Sequence, residues 1–170
     1  SVVPVFEKQI ADHGEVRVTD PRMTRFWVSA DSAVDLIGLA LGFAEEHPGA
    51  TIIGANPAMA ITDLAAAVWR LWHADQGMSP SEPIIKFTGI RPGEKLAEQL
   101  FNEQEAPRAY ALFEGETGAT TGFVLLPATE TLGRGPGITL TPAAGYSSDA
   151  PVRWLSTDEM VRLIVDARSI

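Results

Sequence analysis

The sequence predicts an α/β fold, and three observations support this class. The 170 residues are 45% hydrophobic and 21% charged, which provides a buried core and excludes a disordered chain. After residue 30, helical and β-type stretches alternate in the order helix, strand, helix, strand, helix, as in folds with parallel strands. No internal repeat is visible, which excludes solenoids and propellers.

The first quarter of the chain predicts two helices and two strands. Residues 2–12 predict a short helix that begins at Pro4, because proline suits the first helical turn. Residues 16–19 alternate like a strand, and residues 26–28 are a second β-type run after a turn. Residues 31–43 are apolar on nearly all sides, a pattern typical of a helix that is buried all round.

The middle of the chain continues the alternation. Residues 51–55 predict a strand, and Thr62 is the expected N-cap of the helix that follows. Residues 84–88 predict another strand. The segment 89–94 then leads into a helix that we expect to extend to residue 100.

The last third of the chain is rich in Gly, Pro, Thr and Ala, with residues 123–126 as its one clear strand candidate. The sequence Ser-Thr-Asp-Glu beginning at Ser156 has the pattern of a capping box and predicts a final helix. The predicted organisation is an α/β portion over 1–105, an irregular excursion over 106–155 and a C-terminal helix over 156–170.

Charge and residue content exclude several function classes. The net charge of −9 makes the chain a poor nucleic-acid binder, so a few placed arginines must hold any anionic ligand. No apolar run approaches the roughly 18 residues of a membrane span. The absence of cysteine excludes disulfides and thiol nucleophiles and fits a cytoplasmic protein. Because the chain begins with Ser1 rather than Met, we expect it to be a segment of a longer protein.

Three weaker patterns favour simple interpretations. The three histidines lie far apart without a partner at metal-ligand spacing, so no metal is expected. Gly133–Gly137 superficially suggests a phosphate loop, but Pro136 lacks an amide donor and no convincing strand precedes it, which favours a flexible turn. Ser147 and Ser148 lack the surrounding pattern of a hydrolase nucleophile.

Two segments have the chemistry to hold an anion. Residues 19–26 place two arginines in a turn between strands, where a solvated hairpin is the simpler interpretation. Residues 89–95 place Arg91 just after a strand, where open α/β sheets bind their ligands. The guanidinium fork suits phosphate oxygens, and Glu94 can accept hydrogen bonds from vicinal hydroxyls. The combination predicts a nucleotide or sugar-nucleotide site.

Four motifs identify a family resemblance. They are SVVP at 1–4, TDPRMTRFW at 19–27, FTGIRPGEKL at 87–96, and Tyr-Ser-Ser at 146–148 followed by Trp-Leu at 154–155. On these motifs the chain resembles the C-terminal half of the inverting UDP-N-acetylglucosamine 4,6-dehydratases, within the extended short-chain dehydrogenase/reductase superfamily. The resemblance covers essentially the whole chain and is loosest between about residues 106 and 145.

The resemblance implies a set of substrate-binding residues. Arg25 matches the superfamily arginine that contacts the diphosphate, and Arg91 matches a second nucleotide-contacting arginine. Glu94 matches the acid that reaches the ribose, and Thr19 falls near the lining of the uracil and ribose. Tyr146 belongs to the tail that contacts the sugar. That tail departs from the family pattern at residues 149–151, where Asp-Ala-Pro stands in place of frequent asparagines.

The resemblance also implies a division of labour. The N-terminal Rossmann half of such enzymes, absent from this chain, holds NADP and the catalytic Tyr-x-x-x-Lys, so no catalytic residue is expected here. The family reaction oxidises C4, removes the C5 proton, expels water from C6 and returns the hydride there with inversion at C5. The expected partners are a UDP-sugar, the Rossmann half and a second copy of the protein, with no nucleic acid or membrane.

The absence of the Rossmann half from this chain has two structural consequences. Residues 51–55 are the candidate for a late strand that joins the Rossmann sheet. Without that half, we expect both this strand and the helix at 31–43 to expose surface that is normally buried.

Two alternative functions remain open. A related UDP-sugar epimerase or retaining dehydratase shares the same nucleotide site. A freestanding nucleotide-sugar-binding module without catalysis is the alternative from another class.

Overall fold

A computed structural model of the chain describes residues 2–114, 119–130, 138–140 and 145–168. In chain order its elements are α1 (Val3–His13), β1 (Val16–Val18), β2 (Thr24–Phe26), α2 (Ala30–Glu46), β3 (Thr51–Gly54), β4 (Ala58–Ala60), α3 (Ile61–Asp75), β5 (Ile85–Phe87), β6 (Gln99–Phe101), a 3₁₀ turn (Ala106–Arg108), β7 (Ala109–Glu114), β8 (Ala119–Leu125), β9 (Ile138–Leu140), β10 (Tyr146–Ser147) and α4 (Thr157–Arg168). They form two compact units.

The first unit comprises the described residues of Ser1–Arg25, Ala58–Glu98 and Trp154–Ile170. Its strands β1 and β5 are parallel, with Val16 opposite Ile85 and Val18 opposite Phe87. Helix α3 supplies most of the core, because its apolar residues recur at helical spacing on the face that it buries. The buried residues of α3 are Ile61, Leu64, Ala65, Ala67, Val68, Trp69 and Leu71.

The second unit comprises the described residues of Phe26–Pro57 and Gln99–Arg153. Its main sheet has the strand order β3-β8-β7-β9, and every neighbouring pair is antiparallel. One face of this sheet packs against Phe101 and Tyr146, which belong to the smaller antiparallel pair β6 and β10. The other face buries Leu112, Val124 and Leu126, with Phe43 of α2 packed against them.

Several predicted elements are confirmed. Helix α1, strand β1 and strand β5 lie where the sequence places them. The capping box of α4 is present, because the Ser156 amide donates to the Glu159 carboxylate at 2.8 Å and the Glu159 amide donates to the Ser156 hydroxyl at 3.3 Å. The second β-type run is shifted, since β2 ends at Phe26 rather than Val28.

The helix predicted to extend to residue 100 is wrong. Residues 95–98 are irregular, and β6 occupies Gln99–Phe101. The carbonyl groups that such a helix would use internally are bonded elsewhere, since the Leu96 oxygen accepts from the Thr24 amide at 2.9 Å. The prediction that Thr62 caps α3 is also wrong, because the helix begins at Ile61 with Ala60 as its N-cap.

The irregular excursion predicted for residues 106–155 is wrong where the structure describes it, because strands β7 and β8 form the centre of a sheet. The strand predicted at residues 123–126 is confirmed as the end of β8, which begins earlier, at Ala119, and contains Gly122. A Cβ atom at Gly122 would lie 2.9 Å from the Ile53 carbonyl oxygen, so glycine allows the close approach of β3. The turn predicted at Gly133–Gly137 lies outside the described residues.

The two elements expected to expose surface behave differently. Strand β3 pairs antiparallel with β8 and buries Ile53 and Gly54, but Thr51 is exposed and β3 is the end strand of the sheet in the described residues, so the expectation of exposure holds in part. Whether β3 joins a further sheet stays a prediction. Helix α2 buries no residue, and Leu41 is 68% exposed. Burial on all sides, which the apolar composition of α2 predicts, is therefore not found in this chain.

Candidate functional site

Strands β1 and β5 bring two of the predicted site segments together. Because the strands are parallel, their carboxyl ends lie at the same edge. The pairing continues beyond both strands, since the Thr88 amide donates to the Val18 oxygen and the Gly89 amide donates to the Thr19 oxygen, each at 3.0 Å. Gly89 has a φ of +83°, a conformation that favours glycine and turns the chain away from β5.

The segment after Gly89 folds into a tight turn that places Glu94 beside Thr19. The Glu94 amide donates to the Arg91 carbonyl at 3.0 Å, and the Arg91 amide donates to the Glu94 Oε2 atom at 3.1 Å. The Thr19 hydroxyl donates to the Glu94 Oε1 atom at 3.1 Å. Each carboxylate oxygen thus accepts one hydrogen bond from the protein and retains a lone pair for a ligand hydroxyl.

Arg91 presents its side chain to solvent. The residue is exposed, and its guanidinium forms no ion pair with a residue in the described part of the chain. Its backbone is fixed by the two hydrogen bonds to Glu94, so the base of the side chain is held while the guanidinium fork remains open. A planar fork of this kind suits a phosphate group.

Arg25 is arranged differently from Arg91. Its Nη1 atom donates to the Thr24 oxygen at 2.7 Å and to the Leu96 oxygen at 3.2 Å, and its Nη2 atom donates to the Lys95 oxygen at 3.0 Å. The Glu98 carboxylate lies 3.8 Å from Nε, and the Arg25 side chain is 26% exposed. The guanidinium is therefore engaged mainly with the backbone of residues 95 and 96.

Arg22, the other arginine of the same segment, fits the interpretation of a solvated turn. It is exposed, and its Nε and Nη2 atoms each donate to the Asp20 carboxylate at 2.9 Å. This pairing lowers the pKa of Asp20 to about 2. Nothing in this geometry directs Arg22 toward a ligand.

Tyr146 lies in the second unit, apart in the chain from the other site residues. Its hydroxyl donates to the Asn56 oxygen at 2.8 Å, and its ring packs against Phe26 and Phe123 with centroids 5.0 and 4.7 Å away. Burial raises the pKa of this phenol above its ordinary value. The side chain thus belongs to the core of its unit, and the substrate-binding role of Tyr146 stays a prediction.

The described residues show neither a metal-binding cluster nor a membrane-spanning helix. No set of three His, Cys, Asp or Glu side chains within residues 2–114, 119–130, 138–140 and 145–168 has the geometry to hold a metal ion. The histidines lie at helix ends, at His13 of α1, His47 after α2 and His73 of α3. Among the helices of the described residues, none combines the length and apolarity needed to cross a bilayer.

The acceptors around Arg25 were not predictable from the sequence. They are the backbone carbonyls of Lys95 and Leu96, and a carbonyl carries no residue-type signal. The hydrogen bond between Thr19 and Glu94 joins residues 75 positions apart. It forms because the parallel pairing of β1 with β5 brings the ends of these strands together, which the sequence alone does not show.

Comparison with a solved structure defines the class. The whole chain superposes on 46% of the chain in the X-ray structure of Pen from Bacillus thuringiensis, with a TM-score of 0.75 and 26% sequence identity. This likeness confirms the predicted α/β fold of the extended short-chain dehydrogenase/reductase type. The sequence profile of the polysaccharide biosynthesis protein family then matches residues 1–114, and the chain belongs to this family.

Curated relatives agree with this assignment. The inverting UDP-N-acetylglucosamine 4,6-dehydratase of Campylobacter jejuni (strain 81-176) is 33% identical over 96% of this chain and 46% of its own length. The probable polysaccharide biosynthesis protein EpsC of Bacillus subtilis is 36% identical over 62% of this chain and 17% of its own length. A UDP-glucose 4-epimerase of Rickettsia bellii is 36% identical over 64% of this chain and 29% of its own length. The predicted resemblance is confirmed, and the chain spans less than half the length of these relatives.

Proposed function

We propose that this chain is the UDP-sugar-binding part of a UDP-N-acetylglucosamine 4,6-dehydratase that serves nucleotide-sugar and glycan biosynthesis. One observation carries the proposal: Thr19, Arg91 and Glu94 meet at the carboxyl ends of the parallel strands β1 and β5. Open α/β sheets bind ligands at this position. The dehydratase from Campylobacter jejuni, which is similar over nearly the whole chain, supports the choice of reaction.

Each of these residues has a distinct role in the proposed site. The open guanidinium of Arg91 binds the diphosphate, because a planar donor fork matches two phosphate oxygens. Glu94 accepts hydrogen bonds from the ribose hydroxyls through its remaining lone pairs. The Thr19 hydroxyl orients the Glu94 carboxylate at 3.1 Å, so that the acceptor is in place before the ligand binds.

The residues of this chain do not fit the NADP chemistry of the proposed reaction. Tyr110 and Tyr146 are followed four positions later by Glu114 and Ala150, so neither forms a Tyr-x-x-x-Lys pair. In our proposal the cofactor, the proton-transfer groups and the cover of α2 belong to a Rossmann half of the longer protein. We therefore expect the 170-residue chain to form no 4-keto-6-deoxy product from UDP-N-acetylglucosamine and NADP, and product formed by purified chain would contradict this division.

Calorimetry tests the binding site directly. The chain should bind UDP and UDP-sugars in preference to free N-acetylglucosamine, because the proposed contacts are with phosphate and ribose. The Arg91→Ala substitution should weaken UDP binding by about 1.5–3 kcal/mol, the range for a hydrogen bond to a charged group. The control is Arg22→Ala, which removes an exposed arginine that already pairs with Asp20. Equal UDP affinity in the Arg91→Ala and unmutated chains would overturn the assignment.

A UDP-sugar epimerase is the second candidate. The relative from Rickettsia bellii is named a UDP-glucose 4-epimerase and is 36% identical over 109 residues. Both reactions need the same UDP contacts, so the nucleotide site does not separate them. The product made from UDP-N-acetylglucosamine by the longer protein, either a 4-keto-6-deoxy sugar or a C4 epimer, decides between the two.

A further inference from the structure

A group of charged side chains lies at the opposite end of the β1 and β5 pair from the candidate site. Its members are Glu15, Arg17 and Lys86. We propose that Glu15 is a positioning residue: it links the two strands and fixes their register, and this register keeps Glu94 within hydrogen-bond reach of Thr19. The inference rests on the proposed function, since it concerns how the same nucleotide site is held in place.

The link is made by one carboxylate and a cation from each strand. Glu15 directly precedes β1, and its Oε1 atom accepts from the Arg17 Nε atom at 3.0 Å. Its Oε2 atom lies 2.5 Å from the Lys86 Nζ atom of β5. Arg17 and Lys86 stand opposite each other in the parallel pairing. The two oxygens of a single carboxylate therefore contact two residues that are register partners.

The Glu15 carboxylate is shielded from solvent, unlike its partners. Its side chain is 9% exposed, whereas those of Arg17 and Lys86 are 48% and 64% exposed. Hydrogen bonds from Lys86 and then Arg17 lower the pKa of Glu15, so the carboxylate is charged near neutral pH. A shielded charge is costly without its partners, so removing Lys86 should cost more than breaking an ion pair between two exposed side chains.

Strand β5 has little else to fix its position. It buries none of its three residues, and β1 is its only strand partner within the described residues. Its apolar side chains do not select a register, because Ile84 and Phe87 fall on opposite faces of an extended chain and are 53% and 54% exposed. The register of a strand without a buried face is weakly specified. The charge of Lys86, placed beside Glu15, distinguishes the observed register from a shifted one.

The register of the strands determines the geometry of the site at their other end. Thr19 directly follows β1, and Glu94 lies in the turn that follows β5. A slip of one residue moves a strand by about 3.3 Å along its partner. The Thr19 hydroxyl and the Glu94 carboxylate are joined at 3.1 Å, so this displacement would break their hydrogen bond. Glu15 thus acts on the ribose acceptor without contacting the ligand.

Hydrogen exchange of the 170-residue chain, measured by NMR, tests the register directly. The amides of Thr88 and Gly89 donate to carbonyl oxygens at and just after the end of β1. We expect Glu15→Gln to accelerate their exchange about tenfold. The Val68 amide in α3 should keep its rate, because the change is local. The matched control is Asp12→Asn, which neutralises an ion-paired carboxylate of α1 and should change none of these rates.

Calorimetry with UDP connects the register to the site. Glu15→Gln and Lys86→Met should each weaken UDP binding about fivefold, and the double variant should lose no more than either alone, because both changes remove one interaction. Lys86→Arg keeps the cation and should lose less than about twofold. Because Lys86 is 64% exposed, Lys86→Met should fold and provides the test if Glu15→Gln does not.

The positioning role would be overturned by unchanged exchange at Thr88 and Gly89, by unchanged UDP affinity in both single variants, or by losses that add in the double variant. Faster exchange in α3 as well would indicate a general loss of stability and would also overturn it. If the unmutated chain did not bind UDP, the proposed function would fail, and with it the connection to a nucleotide site. The exchange rates would still show whether Glu15 fixes the two strands, so the two failures are distinguishable.

Discussion

Helices α2 and α3 are both rich in apolar residues, yet their surroundings are opposite. Helix α3 buries seven of its residues, and Leu64 and Val68 are fully buried. Helix α2, whose residues are all described, buries none, and Val34 and Ile37 are 66% and 60% exposed. An apolar helix therefore indicates that a partner surface is needed, and it does not show that the partner lies within the same chain.

The difference begins in the sequence. Arg70 and Asp63 lie on the exposed side of α3, so that helix has one apolar face and one polar face. Helix α2 lacks such a division and is fixed locally at its start, where the Ser32 amide donates to the Ser29 hydroxyl at 3.1 Å. Local capping thus specifies the helix without specifying what covers it.

The comparison is tested most strongly by truncating one leucine in each helix. Leu64→Ala in α3 should lower the free energy of unfolding by about 2–5 kcal/mol, because it leaves a cavity in a packed core. The matched control is Leu41→Ala in α2, which should change stability by less than about 0.5 kcal/mol, since Leu41 is 68% exposed. Chemical denaturation measures both, and equal costs would contradict the contrast between the helices.

The exposed surface of α2 should also affect the behaviour of the chain in solution. We expect the 170-residue chain to self-associate, because an exposed apolar helix face is stabilised when another surface removes it from water. Leu41→Glu should shift this association to higher protein concentration. Light scattering across a concentration series measures the effect. A concentration-independent monomer with cooperative melting would contradict it and would favour the freestanding-module alternative.

A smaller effect concerns the helix that helps to cover α3. Ser156→Ala removes the capping hydroxyl of α4 and should cost about 1 kcal/mol of stability. Ser29→Ala makes the corresponding change in α2 and should cost less, because α2 buries no residue in this chain. Thermal unfolding compares the two variants, and a larger cost at Ser29 would show that α2 is better integrated than its exposure indicates.

Local patterns proved to be the predictable part of this fold. The capping box at Ser156 and the alternation at residues 16–18 depend on neighbours in sequence, and both predictions are confirmed. The predicted helix after Glu94 failed because distant groups, the Thr24 amide and the Arg25 guanidinium, bind the carbonyls that it needed. Strand β7 escaped prediction because its partners, β8 and β9, specify it more than its own residues do.

In the candidate site, too, the local motif was predictable and the distant contacts were not. Arg91 and Glu94 belong to one short motif, and the structure places them in one turn. The Arg25 guanidinium, in contrast, donates to two backbone oxygens 71 and 70 positions away, and no pattern of side chains predicts such acceptors.

The way the first unit is assembled has a consequence for its synthesis. Arg168 of α4 pairs with Glu7 of α1, which lies 161 residues earlier, and with Asp75 of α3 at 2.9 Å. Met160 and Ile164 of α4 are also buried. At about 5–20 residues per second, a ribosome needs on the order of 10 s to make the intervening chain. The core between α1, α3 and α4 therefore cannot be completed before α4 has been synthesised.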